Sequence, residues 1–151
     1  MLSSSGNVKE SPRPSGANFS RVESSRLAGL PVFAGLPDRE LAAIAAAASE
    51  VDVRDGDTLA TEGDFGHCMY VIESGTAEVR VDGKQQRSLG PGDVFGEIAA
   101  IASGRRTASV VATSAMRLIA LFKRDLWALE QDAPAASERL RALVDMRRAA
   151  D

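Results

Sequence analysis

The chain has 151 residues, of which 44% are hydrophobic and 26% charged, with a formal net charge of −3, the composition of one soluble globular domain with room for a large core. A net acidic chain lacks the basic excess that neutralises nucleic-acid phosphates, no apolar run approaches the ~18 residues of a membrane span, and the N-terminus has no apolar stretch of a secretory signal. No nucleic-acid partner, no membrane span and a cytoplasmic location are therefore expected, and with one cysteine, Cys68, and one histidine, His67, neither an intrachain disulfide nor a Cys/His metal cluster can be assembled.

Residues 1–20, MLSSSGNVKESPRPSGANFS, hold too few large apolar groups to offset the entropy of ordering and predict a disordered tail, leaving a domain over 21–151. Residues 1–26 carry four basic and two acidic side chains, so the remainder has fourteen against nineteen and is mildly acidic. A short amphipathic helix is predicted from Arg21 to Leu30. LPVFAGLPDREL then reads as a Pro- and Gly-punctuated turn, with Asp38 capping a helix through LAAIAAAA that places Leu41 and Ile44 on one face.

After Ser49 the texture changes to short β-prone runs: VDV, TLAT, CMYVI, TAEVRV, QQRSL, SVVAT and MRLIAL, separated by Gly, Asp and Pro turns. Short strands at this spacing predict a sandwich or a barrel. Asp82-Gly83 supplies the positive backbone dihedrals of a tight hairpin. His67 and Cys68, at the start of one run, are expected as a turn residue and a buried thiol. From Lys123 the period becomes helical, with Leu126 and Leu129 flanking Trp127. Pro134 breaks that run, and a last helix from Ala135 to about Ala149 carries Leu140, Leu143, Val144 and Arg147 on one face.

The chemistry concentrates in GPGDVFGEIAAIASGRRTASV, residues 90–110. Gly96 lets backbone approach a ligand closely, and a short helix over Glu97–Ile101 turns its N-terminal amides outward, a natural seat for an anion. Arg106 can bring a planar guanidinium to the same anion, while Thr107 adds a hydroxyl and an amide. A carboxylate beside a phosphate is repulsive, so Glu97 needs another partner. A ribose hydroxyl donating to Glu97 supplies one and selects ribose over deoxyribose. The plainer alternatives are a helix-dipole role for Glu97, a solvated turn for the Arg pair, a strand position for Thr107, and a solvated helix end for Arg147 and Arg148.

FGEIAAIASGRRTASV resembles the phosphate-binding cassette of the cyclic-nucleotide-binding domain family, and is most similar to its channel branch. EGDFGHCMYVIESGTAEV resembles the family's strand, glycine turn and strand, and LPVFAGLPDREL its N-terminal helical segment. The resemblance spans about residues 26–148. It implies a mainly β fold, an eight-stranded jelly roll (β-roll) with flanking N- and C-terminal helices. It also implies that the Gly96 backbone and Glu97 face the ribose, that Arg106 with Thr107 and Ala108 faces the cyclic phosphate, that Ile98, Ala99 and Leu89 belong to the pocket, and that Arg147 on the last helix caps the base. Ala100 and Ala102 depart from the bulkier apolar residues of the family's cassette helix.

The function expected from these residues is a non-catalytic sensor with no cofactor. It binds cAMP, with cGMP left open through Thr107, and answers to an unidentified effector protein or domain by moving its C-terminal helix. The alternatives are a regulatory domain of a larger channel, enzyme or transcription regulator, and a degenerate domain kept for protein contacts.

Overall fold

A computed structural model describes residues 22–97, 100–101 and 104–150, with the side chains of 149 and 150 not described. The expected tail over 1–20 lies outside the described residues, as do Ile98, Ala99 and Ala102. Eight strands occur among the described residues: β1 (Ser49–Val53), β2 (Thr58–Ala60), β3 (Cys68–Ser74), β4 (Ala77–Val81), β5 (Lys84–Leu89), β6 (Val94–Phe95), β7 (Ser109–Ala112) and β8 (Met116–Phe122). They form two four-stranded sheets, ordered β1-β8-β3-β6 and β2-β7-β4-β5, in which every pairing is antiparallel. Helices α1 (Ser24–Ala28) and α2 (Asp38–Ala47), with a 3-10 turn at Pro31–Phe33 between them, precede the sheets; α3 (Lys123–Asp132) and α4 (Pro134–Ala150) follow. This is the mainly β jelly roll with flanking helices.

The sequence runs explain the layering. In β3, Cys68, Tyr70 and Ile72 face the opposite sheet, while Met69 and Val71 face the helices. A strand buried on both faces must read as a continuous apolar run rather than an alternation, as CMYVI and LIAL do. One core lies between the sheets, around Leu59, Tyr70, Val79, Leu89, Phe95, Val110 and Leu118. A second lies between the first sheet and the helices, around Leu27, Phe33, Ile44, Ile119, Leu126, Leu129 and Leu140. The β5 strand is different: Lys84 to Ser88 are exposed and only Leu89 is buried, which keeps this edge from pairing with another chain.

Several boundaries differ from expectation. The first described helix is only Ser24–Ala28, because Gly29 ends it and Pro31 opens a separate turn. Asp38 does not cap α2: Pro37 holds the cap position without a side-chain bond, and Asp38 is the first helical residue, where its charge still suits the helix dipole. β6 was not foreseen, since two residues between turns give no period to read. The Asp82-Gly83 hairpin is as expected, with φ of 54° and 76°, and Cys68 is buried. Leu126 and Leu129 are buried while Trp127 is 62% exposed.

The charged surface also fixes the helices. Arg26 of α1 donates to both carboxylate oxygens of Glu73 (2.8 and 2.5 Å) and to Glu50 (2.9 Å), clamping α1 onto the sheet. The Arg26 hydrogen bond holds the Glu73 carboxyl below the usual carboxylate range, against the opposing effect of burial. Glu40 of α2 is buried and accepts from the amides of Ala136 (2.9 Å) and Ala135 (3.3 Å), so a carboxylate from the N-terminal helices caps the first turn of α4.

Candidate functional site

Gly96 follows β6 with φ of +82°, a left-handed conformation that favours glycine. The space around it also demands glycine: a Cβ there would lie 2.4 Å from Arg106 Nη1 and 3.0 Å from the Cys68 carbonyl. The Arg106 guanidinium thus packs directly on the glycine backbone, donating to the Gly96 carbonyl at 3.3 Å. Arg106 is 6% exposed, and among the described residues no carboxylate bonds it. Its charge also pulls against the burial that pushes the Cys68 thiol up in pKa.

The loop between β2 and β3 sets the position of Arg106. The Arg106 amide donates to the Asp64 carbonyl (2.7 Å), the Gly63 amide donates to the Arg106 carbonyl (2.9 Å), and the Gly66 amide donates to the Gly104 carbonyl (2.8 Å). Beside it, the Arg105 guanidinium lies 4.2 Å over the exposed Phe65 ring and donates to the Gly63 carbonyl at 2.9 Å. The two arginines therefore divide their work: Arg105 stacks on the outer face, a cation–π contact, and Arg106 turns inward.

Glu97, the residue after the glycine, is 3% exposed. One carboxylate oxygen, Oε2, accepts from Arg147 Nη1 at 2.9 Å, and the same nitrogen donates to the Val94 carbonyl at 2.6 Å. The other oxygen, Oε1, is buried with no hydrogen-bond partner among the described residues. A buried carboxylate oxygen without a donor carries a desolvation cost, which a hydroxyl or amide of a ligand would relieve.

These groups share one cavity of about 510 Å³. Gly96, Glu97, Arg106, Thr107, Ala108 and Arg147 line it, together with Phe95 and Val110 from the inter-sheet core, Val79 and Val81 from β4, and Gln86 and Arg87 from β5. The exposed Thr107 and half-buried Ala108 continue the wall from Arg106 into β7. Leu89 is placed elsewhere, 2% exposed within the inter-sheet core and paired with Ala77. Ile98 and Ala99 lie outside the described residues. Arg147 stands at the cassette, on Glu97 and Val94, an ion pair that the sequence reading did not foresee. The Gln86–Arg87 wall was also missed, because an exposed polar edge strand carries no sequence signal of facing a cavity.

A buried cation at one end, a carboxylate oxygen lacking a donor beside it, and an apolar strand face beyond suit a ligand with an anion, a hydroxyl and a flat apolar portion. A family model described as "Cyclic nucleotide-binding domain" matches residues 50–132. The cyclic AMP receptor protein of Thermus thermophilus is 34% identical over 79% of this chain and 57% of its own length. Among solved structures, the regulatory domain of Toxoplasma gondii PKA crystallised with cAMP superposes with a TM-score of 0.64 at 29% identity, covering 76% of this chain and 45% of that one. A putative cyclic nucleotide-binding protein from Geobacter metallireducens shares the fold, with a TM-score of 0.74 at 23% identity, covering 85% of this chain and 97% of that one. The chain spans little more than half the length of the Thermus relative. With cassette, cavity and sheet topology in agreement with these matches, the chain belongs to the cyclic nucleotide-binding domain family.

Proposed function

We propose that this chain is a non-catalytic, cytoplasmic sensor module that binds cAMP, admits cGMP in the same seat, and transmits occupancy to an effector protein or domain through α4. The observation that carries the reading is the pairing of the buried Arg106 guanidinium with the partnerless Glu97 Oε1 on one cavity wall. In this reading Arg106 neutralises the cyclic phosphate, with Thr107 and the Ala108 amide completing its hydrogen bonds. A ribose hydroxyl donates to Glu97 Oε1 and relieves its desolvation. The purine lies toward the strands, and no group of the chain attacks the diester. The T. gondii PKA regulatory domain, crystallised with cAMP, supports the choice of nucleotide.

Transmission follows from Arg147. Its guanidinium already joins the last turns of α4 to Glu97, so a ligand that bonds Glu97 acts directly on the group that holds the helix. Any partner preferring the ligand-bound position of α4 must strengthen nucleotide binding by the same factor.

Isothermal titration of cAMP and cGMP into the wild type, Arg106→Ala and Glu97→Ala tests the site. Removing the guanidinium leaves a buried phosphate charge underpaired and should weaken binding by about 2 kcal/mol or more. Unchanged affinity in both variants would reject the assignment.

A further inference from the structure

The cassette carries two adjacent arginines whose side chains go opposite ways, Arg106 buried and Arg105 exposed. Both sit on a short two-stranded ribbon. Phe65 and Arg105 face one another in an antiparallel bridge, flanked on one side by the Gly66 amide on the Gly104 carbonyl (2.8 Å) and on the other by the Arg106 amide on the Asp64 carbonyl (2.7 Å). This is the non-hydrogen-bonded kind of pair, in which facing side chains come closest. The Arg105 guanidinium lies over the Phe65 ring at 4.2 Å and donates to the Gly63 carbonyl at 2.9 Å. Phe65 is 63% exposed, so the core does not hold the ring; the cation over its face does.

A ribbon this short leaves its register weakly set. Neighbouring side chains of extended backbone point to opposite faces, so a slip of one residue exchanges them. In most strands the exchange is penalised because it puts a polar group where an apolar one belongs. Here it would swap one guanidinium for another, so side-chain chemistry does not oppose it. Sterics do not oppose it either, since Gly104, just before the pair, has φ of +79° and open space around it. Building on the binding reading above, we infer that Arg105 is a positioning residue: stacked on Phe65, it locks the register of the ribbon and so makes Arg106 the guanidinium that meets the phosphate. The two faces differ in what they offer a cation. The outer one presents an aromatic ring, and the inner one presents the Gly96 carbonyl, 3.3 Å from Arg106 Nη1. With Arg105 on the ring, Arg106 is left to the inner face, and the phosphate finds one guanidinium in one place.

The test titrates cAMP into the wild type, Phe65→Leu, Phe65→Tyr, Arg105→Met and the Phe65→Leu/Arg105→Met double variant. Leucine keeps apolar bulk and every charge but removes the ring, and should weaken binding about threefold to fivefold, whereas tyrosine keeps the ring and should bind as the wild type does. Arg105→Met should lose at least as much as Phe65→Leu, and the double variant no more than Arg105→Met, because either change removes the same stack. Hydrogen exchange in Phe65→Leu should quicken at the Gly66 and Arg106 amides while the amides of β3 and β8 keep their protection. Wild-type affinity in Phe65→Leu, losses that multiply in the double variant, failure of tyrosine to preserve binding, or a loss of protection across the whole sheet would each overturn the lock while leaving the binding reading intact. A wild type that does not bind cAMP overturns the binding reading and the lock together.

Discussion

Replacing Gly96 by alanine tests whether the contact between Arg106 and the glycine backbone is what seats the phosphate. The added Cβ would stand 2.4 Å from Arg106 Nη1 and 3.5 Å from its Cζ, whereas nonbonded heavy atoms settle near ~3.5 Å, so the guanidinium must retreat by about 1 Å. It cannot do so by carrying its backbone along, because the Arg106 amide and carbonyl are both bonded to the 63–64 loop. The side chain must bend instead. Two costs follow. Alanine at φ +82° costs about 1–2 kcal/mol of stability, and displacing a charge-assisted bond from the phosphate costs about 2 kcal/mol of affinity, roughly thirtyfold. Gly56→Ala supplies the control, since Gly56 has φ of +92° with nothing within 4 Å of its added Cβ and lies in the turn between β1 and β2. Urea denaturation should show a loss for Gly96→Ala at least as large as for the control, because its Cβ also crowds Arg106 and the Cys68 carbonyl, and calorimetric titration with cAMP should show weakened binding for Gly96→Ala alone. If Gly96→Ala were destabilised like the control yet bound cAMP as tightly as the wild type, the guanidinium would not be at the phosphate.

Two further predictions concern how the helices are held. Glu40→Ala removes the carboxylate capping α4 and leaves two first-turn amides without their acceptor. A loss of about 2 kcal/mol in urea denaturation, partly recovered in Glu40→Gln, and faster amide exchange at Ala135 and Ala136 are expected. The Glu73 carboxyl titrates below its unfolded value because of Arg26, so its contribution is complete above the unfolded pKa and is lost as pH falls through the folded one. The stability difference between wild type and Glu73→Gln should be about 1 kcal/mol near neutrality and vanish once the pH falls below the folded pKa of Glu73; a difference that persists in acid would contradict the ion pair.

What was legible in the sequence follows from where its signals are local. The alternation in AEVRV, the Asp82-Gly83 turn and the apolar runs CMYVI and MRLIAL each mark local structure by themselves, and their spacing gives a sandwich or a barrel; the jelly roll came from the family resemblance of the cassette. The cassette was legible because its chemistry lies within Gly96 to Ala108, a stretch close enough for spacing to stand for geometry. Two of the missed features join distant segments. Arg147 and Glu97 are fifty residues apart, Glu40 and Ala136 ninety-six, and neither side chain of either pair announces its partner. Gln86 and Arg87 were missed for a different reason: strict alternation sends them to opposite faces, and only the observed register, in which Val79 pairs with Arg87 and Arg80 with Gln85, reveals the bulge that puts both on the cavity wall.

Three of the polar attachments of α4 differ in strength, and the difference bears on how a signal can pass. Its first turn is held by Glu40, and Arg139 donates to the carbonyls of Val32 (3.1 Å) and Ala34 (2.7 Å), so the start of the helix belongs to the N-terminal layer. Its last turns are tied to the cassette through Arg147, whose side chain is 22% exposed. A partly exposed pair of this kind contributes about 1 kcal/mol, less than burying either Leu140 or Val144, at roughly 1.5–3 kcal/mol each. Breaking or remaking the Arg147 tie alone would shift an equilibrium only about fivefold, whereas a shift from 1:99 to 99:1 requires about 5.5 kcal/mol. In the proposed reading a decisive switch would therefore require the ligand to change the apolar contacts of α4 as well as its ion pair, and the end capped by Glu40 is the more firmly held of the two.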